Sequence, residues 1–287
     1  MDNIMKVNIL KTIALGILSF AMLSCSSSDE FPLPEYYSQT ASTKLGQQII
    51  DGSAGYVNHV KTDSETKVVP GVTLFKMGYI NRNGHAMQMF MYKVSLGPVS
   101  IIATKAATES KVQLLTEQAT AVENQGKYLV QGAISCGGDL GKGNSFFAIL
   151  NDGSAVCLPS SEYEGVKSKV KHGFSGTSHL LQDGYVLSQT DAATSARAAV
   201  GVSADGGEVF MVVVDGGDYF YSNGVTCADL ANLMKGCGAS DAIVLNTGNN
   251  VTAVWRNERS ENLFDLLNKP SAKGVEAEIA GGLLIVQ

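Results

Sequence analysis

Apolar residues along this chain fall mostly into short runs that alternate as half-buried strands do, separated by Gly, Asn and Asp, with a few stretches at helical spacing. Lys44 to Val60 sets Leu45, Ile49 and Ile50 on one side but is interrupted by Gly52 and Gly55, so a short helix is expected. From Val68 the period changes. Val72 to Phe75, His85 to Val94 and Val99 to Thr104 read as strands, with Asn81-Arg82-Asn83-Gly84 as a hairpin turn between the first two. Leu114, Leu115, Ala119 and Val122 return to helical spacing, and Gly126 follows as a stop. Tyr128 to Ile134 is a further strand. Two more hairpins are expected, around Asn151-Asp152-Gly153-Ser154 and around Ala204-Asp205-Gly206-Gly207, so Asp152 and Asp205 are read as turn residues. Thr226 with Asp229 forms a capping box for a helix through Lys235 that buries Leu230, Leu233 and Met234. Asp241 to Leu245 and Ile279 to Val286 are nearly continuous apolar runs, as strands covered on both faces are. The pattern predicts an α+β fold: a single domain with a mixed, largely antiparallel β-sheet and a few covering helices.

Composition narrows the function. The 287 residues are 45% hydrophobic and 17% charged, which excludes a disordered chain, and the net charge of −6 supplies no basic field for nucleic acid. Lys6 and Lys11 precede an apolar run, Ile13 to Leu23, too short to span a bilayer but of the length of a secretory signal. Met22-Leu23-Ser24-Cys25 resembles the bacterial lipobox, which makes Cys25 the lipidated residue and residues 1–24 the signal peptide. Asp29 and Glu30 resemble the surface-export signal of lipoproteins in the Bacteroidetes group. Removing Lys6, Lys11 and Asp2 with the signal takes the net charge from −6 to −7, so membrane contact is expected through the lipid anchor alone. The expected location is the cell envelope, anchored to the outer membrane on its periplasmic side or at the cell surface. Residues 25–43, with Pro32 and Pro34, read as a tether, 44–69 as an N-terminal extension and 70–287 as the main domain. Cys227 and Cys237, about 15 Å apart on one helix, are too distant to bridge. Cys136 and Cys157 are read either as a cross-strand pair or as buried thiols.

Several segments together resemble the phosphodiester glycosidase family. They are Ala196-Arg197-Ala198-Ala199-Val200-Gly201, Val213-Val214-Asp215-Gly216, Gly224-Val225-Thr226, Asp241-Ala242-Ile243-Val244-Leu245, Asn268-Lys269-Pro270-Ser271, and Glu276 before Ile279-Ala280. The resemblance runs from about Pro70 to Val286 and implies a carbohydrate or glycosyl phosphodiester ligand. Hydrolysis of such a linkage needs donors for the departing phosphate and a carboxylate to activate water or steady an oxocarbenium-like centre.

Within that resemblance Arg197 is the expected phosphate fork, with a surface salt bridge as its other reading. Asp215 is the expected carboxylate, with a turn role equally open, and Glu276 is a second carboxylate. The family's site loop reads approximately Leu-Asp-Gly-Gly-Gly-Ser, whereas this chain has Leu245-Asn246-Thr247-Gly248-Asn249-Asn250. Asn246 therefore takes the place of an acid and cannot accept a proton at neutral pH. Ser135, Gly137, Thr247, Gly248, Asn249, Asn250, Asn268, Ser271 and His179 are the expected substrate-binding residues, and a divalent cation is a candidate cofactor. The glycine-rich run Gly137 to Gly143 looks phosphate-friendly but lacks P-loop spacing and a following helix. Trp255 is read either as a sugar-stacking ring or as packing. Two functions stay open: hydrolysis of sugar 1-phosphodiesters, or carbohydrate binding and surface interaction by a catalytically degenerate relative.

Overall fold

The computed structural model describes residues 38–108, 110–260, 263–270 and 273–287. The expected signal peptide, Cys25 and Ser271 lie outside the described residues. The chain begins with helix α1 (Lys44–Gly52), capped by the Thr43 side chain, which accepts from the Gly46 N–H at 3.0 Å. Strand β1 (Val57–Val69) follows. The sequence reading places no strand there, because its alternating Lys61, Asp63, Glu65 and Lys67 suit an edge exposed to solvent, and β1 is the edge strand of its sheet.

Strands β2 (Val72–Asn81) and β3 (Ala86–Ser95) form the expected hairpin, where the Asn81 side chain accepts from the N–H groups of Asn83 and His85 and Gly84 takes a left-handed φ of 80°. After β4 (Ser100–Lys105) come α2 (Leu115–Glu123), β5 (Val130–Cys136), β6 (Ser145–Leu150), β7 (Ala155–Pro159), the single turn α3 (Tyr163–Val166), β8 (Val170–Gly176), β9 (Ser178–Gln182) and β10 (Tyr185–Val186). A strap without regular structure leads to β11 (Arg197–Val202) and β12 (Glu208–Val214). The last elements are α4 (Cys227–Cys237), β13 (Asp241–Thr247), β14 (Ala253–Arg256), β15 (Phe264–Leu266) and β16 (Gly281–Val286).

The fold is α+β, and its strands divide among three sheets rather than one. Eight strands run in the order β1-β2-β3-β12-β11-β13-β9-β10, five in the order β15-β14-β5-β16-β4, and three in the order β7-β6-β8. Every paired strand is antiparallel to its neighbour among the described residues.

Alternation along the central strands explains the layers. On β12, Val209, Met211 and Val213 meet the other two sheets in one core, whereas Phe210, Val212 and Val214 meet α1 and α4 in a second. On β16, Leu283 and Ile285 join the first core, and Leu284 and Val286 join a third beneath α2. Both faces are therefore covered, as the unbroken apolar runs require. The layers stack as helices, large sheet, two smaller sheets, helix. Burying Leu230, Leu233 and Met234 of α4 contributes about 1.5–3 kcal/mol each. Gly52 and Gly236 let α1 and α4 cross closely, since a Cβ on Gly52 would lie 2.6 Å from the Gly236 Cα. The cysteines Cys136, Cys157, Cys227 and Cys237 are buried free thiols. The turn roles of Asp152 and Asp205 hold: their carboxylates accept from the N–H groups of Ser154 and Gly207.

Candidate functional site

The ends of β5, β8 and β13, one from each sheet, converge on a cavity of about 570 Å³. Its walls are Gly137 to Asp139 and Lys142 to Asn144 on one side, Ser175 to Thr177 on another, and Leu245 to Thr247 on the third. A ladder irregularity makes the third wall. Ala199 pairs with Val244 but Ala198 pairs with Asn246, so Leu245 is an extra residue and Asn246 turns to the face that Ala198 occupies. Glycine makes the first wall, where a Cβ on Gly143 would lie 2.3 Å from the Gly176 carbonyl oxygen and one on Gly138 would lie 2.8 Å from that of Ser175.

Asn246 is the hub of the loop. Its Nδ2 donates to Ser135 Oγ at 3.1 Å and to the Asn250 carbonyl at 2.9 Å, and its Oδ1 accepts from the Thr247 N–H at 2.9 Å. Ser135 Oγ also accepts from the Thr252 N–H at 2.9 Å, which ties β5 to the loop. The Gly137 N–H donates to the Leu245 carbonyl, and the Gly248 N–H to that of Ala196. Gly248, Asn249 and Asn250 form a short helical turn in which the two asparagines are exposed. Ser135, Gly137, Asn246 and Thr247 are thus neighbours.

The wall opposite contains residues that the sequence reading did not select. Asp139 is paired with Lys105 at 3.1 Å and with Lys142 at 3.2 Å, and these two cations hold its carboxyl below the ordinary range. The Lys142 N–H donates to Ser175 Oγ at 3.2 Å, and Asn144 Nδ2 donates to the Thr177 carbonyl at 2.9 Å. The signal was the glycine-rich run Gly137 to Gly143, which fails as a nucleotide loop yet still lets a ligand approach the main chain.

Other expected site residues lie elsewhere. Arg197 is 1% exposed and sits on the helix-side face with Val214 and Thr247, its partners across the sheet. Its Nε donates to the Val225 carbonyl at 2.9 Å and its Nη1 to Thr247 Oγ1 at 3.2 Å. Its Nη2 donates to Asp191 Oδ2 at 2.9 Å and to the Ala193 carbonyl at 2.8 Å. Asp215 continues the series Val209, Met211, Val213 and enters the opposite face. There its Oδ1 accepts from Asn268 Nδ2 at 2.7 Å and its Oδ2 from the Lys269 N–H at 2.9 Å. Burial raises the Asp215 carboxyl above its usual range, against the pull of Lys269, Asn268 and Tyr221. Asn268 Nδ2 also donates to the Val251 carbonyl and its Oδ1 accepts from the Ala253 N–H, so this pair fastens the outgoing end of the site loop. The structure does not bring Arg197 and Asp215 into one hollow.

Glu276 is remote from the cavity in function. Its carboxylate accepts from the Thr116 N–H at 3.0 Å and from Thr116 Oγ1 at 2.8 Å, capping α2 on the outer face of the five-stranded sheet. His179 lines a different cavity of about 380 Å³, beside Glu162, Asp183, Asp205 and Asp241, and burial lowers its imidazole below the usual value. Trp255, in β14 opposite Asp265, is exposed. Among the described residues no group of three or more His, Cys, Asp or Glu is arranged to hold a metal ion.

The catalytic domain of zebrafish N-acetylglucosamine-1-phosphodiester alpha-N-acetylglucosaminidase, auto-inhibited by its pro-peptide, shares the fold. It superposes with a TM-score of 0.56 at 18% identity over 77% of this chain and 85% of that one. A hypothetical protein from Synechocystis superposes with a TM-score of 0.56 at 10% identity over 78% of this chain and 63% of its own. No curated protein matches the chain in sequence. Residues 103–286 match the sequence pattern of the phosphodiester glycosidases, a stretch that holds every wall of the cavity between the sheet ends. With well over half of its length so matched, the chain belongs to the phosphodiester glycosidase family.

Proposed function

We propose that this protein binds glycosyl phosphodiesters in the cavity between β5, β8 and β13, and that it is a recognition protein rather than a fast hydrolase. The observation that carries this reading is the state of Asn246, whose two Nδ2 donors and Oδ1 acceptor are all engaged inside the loop. An amide held in this way neither takes up a proton nor brings negative charge to a reacting centre. The carboxylate that lines the cavity, Asp139, is ion-paired to two lysines, which lower its basicity and so its power to activate water.

The cavity still offers what a sugar phosphodiester requires. Lys142 presents a cation at the mouth, the glycine wall lets a bulky anion lie against the main chain, and Asn144, Thr177 and Thr247 supply groups suited to sugar hydroxyls. The enzyme whose fold this chain shares acts on an N-acetylglucosamine 1-phosphodiester, which makes that linkage the first ligand to try. Cys25 would hold the domain at the cell envelope as a lipoprotein, with residues 25–43 as the tether.

The test is a titration of the purified chain with methyl phospho-N-acetylglucosamine, with heat of binding and release of free sugar followed together. Saturable binding with little or no sugar release supports the reading. Absence of binding, or rapid multiple turnover, overturns it.

A further inference from the structure

Arg197 is almost wholly buried, yet the lid over it is a segment with no regular structure. Residues 190–194 are all exposed, and their hydrogen bonds to the body of the protein run to Arg197 and Cys227. Asp191, whose side chain is 45% exposed, is the one carboxylate that answers the guanidinium among the described residues. A buried charge ordinarily requires a firmly held partner; here the partner rides on the least anchored stretch of the neighbourhood.

The carboxylate occupies a seat with the chemistry of an anion site. Asp191 Oδ2 lies 2.9 Å from Arg197 Nη2 and 3.8 Å from Cys227 Sγ. Cys227 opens α4, so the seat also faces the positive end of that helix. Arg197 Nη1 reaches Thr247 Oγ1 at 3.2 Å, and Thr247 is itself a wall of the cavity between the sheet ends. The seat and the cavity therefore share a residue. Farther along, the strap is pinned by Gln189 Nε2 on the His179 carbonyl at 2.8 Å and by the Leu187 N–H on the Leu180 carbonyl at 3.0 Å. At its other end Ser195 and Val225 exchange main-chain hydrogen bonds. These two anchorages allow the middle to lift without loss of either end.

We infer that residues 187–195 form a displaceable strap whose Asp191 carboxylate stands in for a phosphate group, and that a phosphate-bearing ligand takes its place on Arg197. The inference rests on the proposed recognition of glycosyl phosphodiesters and adds to it a second phosphate contact, linked to the cavity through Thr247, which the protein at rest occupies with its own carboxylate. Asp191 meets the guanidinium through Nη2 alone, since Nη1 and Nε are held by Thr247 and Val225, and one oxygen of a phosphate can take that place.

The experiment uses the full chain and inorganic phosphate as the probe. Saturating phosphate is expected to raise the rate of proteinase K cleavage within residues 188–194 by at least tenfold while β11, β12 and α4 stay uncut. Asp191→Asn, which keeps the shape of the side chain but removes the competing charge, is expected to bind phosphate about tenfold more tightly than the wild type. Strap cleavage that is indifferent to phosphate overturns the inference, as does equal affinity in the two proteins. The cleavage measurement needs only the wild-type chain, so a variant that folds poorly does not remove the test. Lys142→Ala separates the two ideas. If it abolishes sugar phosphodiester binding while strap cleavage ignores phosphate, the strap inference fails alone. If it leaves sugar phosphodiester binding intact while phosphate still lifts the strap, the cavity reading fails alone.

Discussion

Replacing Asn246 by an aspartate installs the acid that the family resemblance places at this position, and the loop geometry sets what the change costs. Oδ1 keeps the Thr247 N–H. Ser135 loses a donor at 3.1 Å, but its hydroxyl accepts from Thr252 and retains a proton that it can turn toward the new carboxylate. The Asn250 carbonyl has no such freedom and would face a carboxylate oxygen across 2.9 Å. Because Asn250 is exposed, water can reach that carbonyl, and the change costs a hydrogen bond rather than a full burial penalty. That is about 0.5–1.5 kcal/mol, and at about 2–4 °C per kcal/mol for a chain of this size the melting temperature falls by about 1–6 °C. The repulsion favours the protonated acid, so the folded-state pKa of the introduced carboxyl would lie above the unfolded value of about 3.9. The penalty is then small below that value, where both states carry the proton. It grows as pH rises through the folded value and is complete at neutral pH. Melting curves of wild type and Asn246→Asp at pH 4 and pH 7.5, with sugar release followed in parallel, check both consequences. A gap that is absent at pH 7.5, or as large at pH 4 as at pH 7.5, refutes the hydrogen-bond reasoning. A gain in sugar release identifies the amide as what holds turnover back.

Three further outcomes are expected. Gly143→Ala drives a Cβ to 2.3 Å from the Gly176 carbonyl and should deform the cavity wall and lower stability, whereas Gly137→Ala, with 3.5 Å to the Asn246 amide oxygen, should melt as the wild type does and weaken ligand binding; calorimetry and melting curves on the pair distinguish the two. Glu276→Ala removes the partner of the Thr116 N–H and should cost about 0.5–2 kcal/mol without altering ligand affinity, because that carboxylate caps α2 rather than lining the cavity. Cys136, Cys157 and Cys237 should resist alkylation in the native protein and react together on denaturation, since all three are fully or almost fully buried; ready labelling of any of them in the folded state would contradict the core packing.

The parts of the fold that sequence reveals are those where one local rule decides. Turns built on Asn81, Asp152 and Asp205 are set by a side chain accepting from a main-chain N–H two residues on, and such chemistry is written in the residue types. The helix after Thr226 is legible for the same reason, because its cap is local; in the structure Gly238, at φ 102°, ends it. Strand β1 was not, because an edge strand pairs on one side only and its alternating charges look like a loop. The division into three sheets was hidden as well. Which antiparallel hairpin joins which sheet depends on contacts between distant segments, such as β16 with β4 and β5, and alternation alone does not specify them.

Site residues were legible as types and hidden as directions. Arg197 and Asp215 are candidates in the sequence because they lie in segments that resemble the family and because a strand start and a strand end both suit a cleft. Their faces, however, are fixed by register: Arg197 pairs with Val214, so the next residue, Asp215, points the other way. This makes a measurable claim about coupling. Arg197 and Asp191 touch at 2.9 Å, whereas Asp215 is bound to Asn268 and Lys269 on the far side of the sheet. Asp215→Asn would set an NH2 group against one of two donors, the Asn268 amide or the Lys269 N–H, and should cost about 1–3 kcal/mol of stability. In double-mutant cycles read by denaturant unfolding, Arg197→Lys with Asp215→Asn should be additive within about 0.5 kcal/mol. Arg197→Lys with Asp191→Asn should show an interaction energy of about 0.5–3 kcal/mol. Strong coupling in the first cycle would mean that the two groups share one electrostatic site after all, and the placement of Arg197 and Asp215 on opposite faces of the large sheet would have to be abandoned.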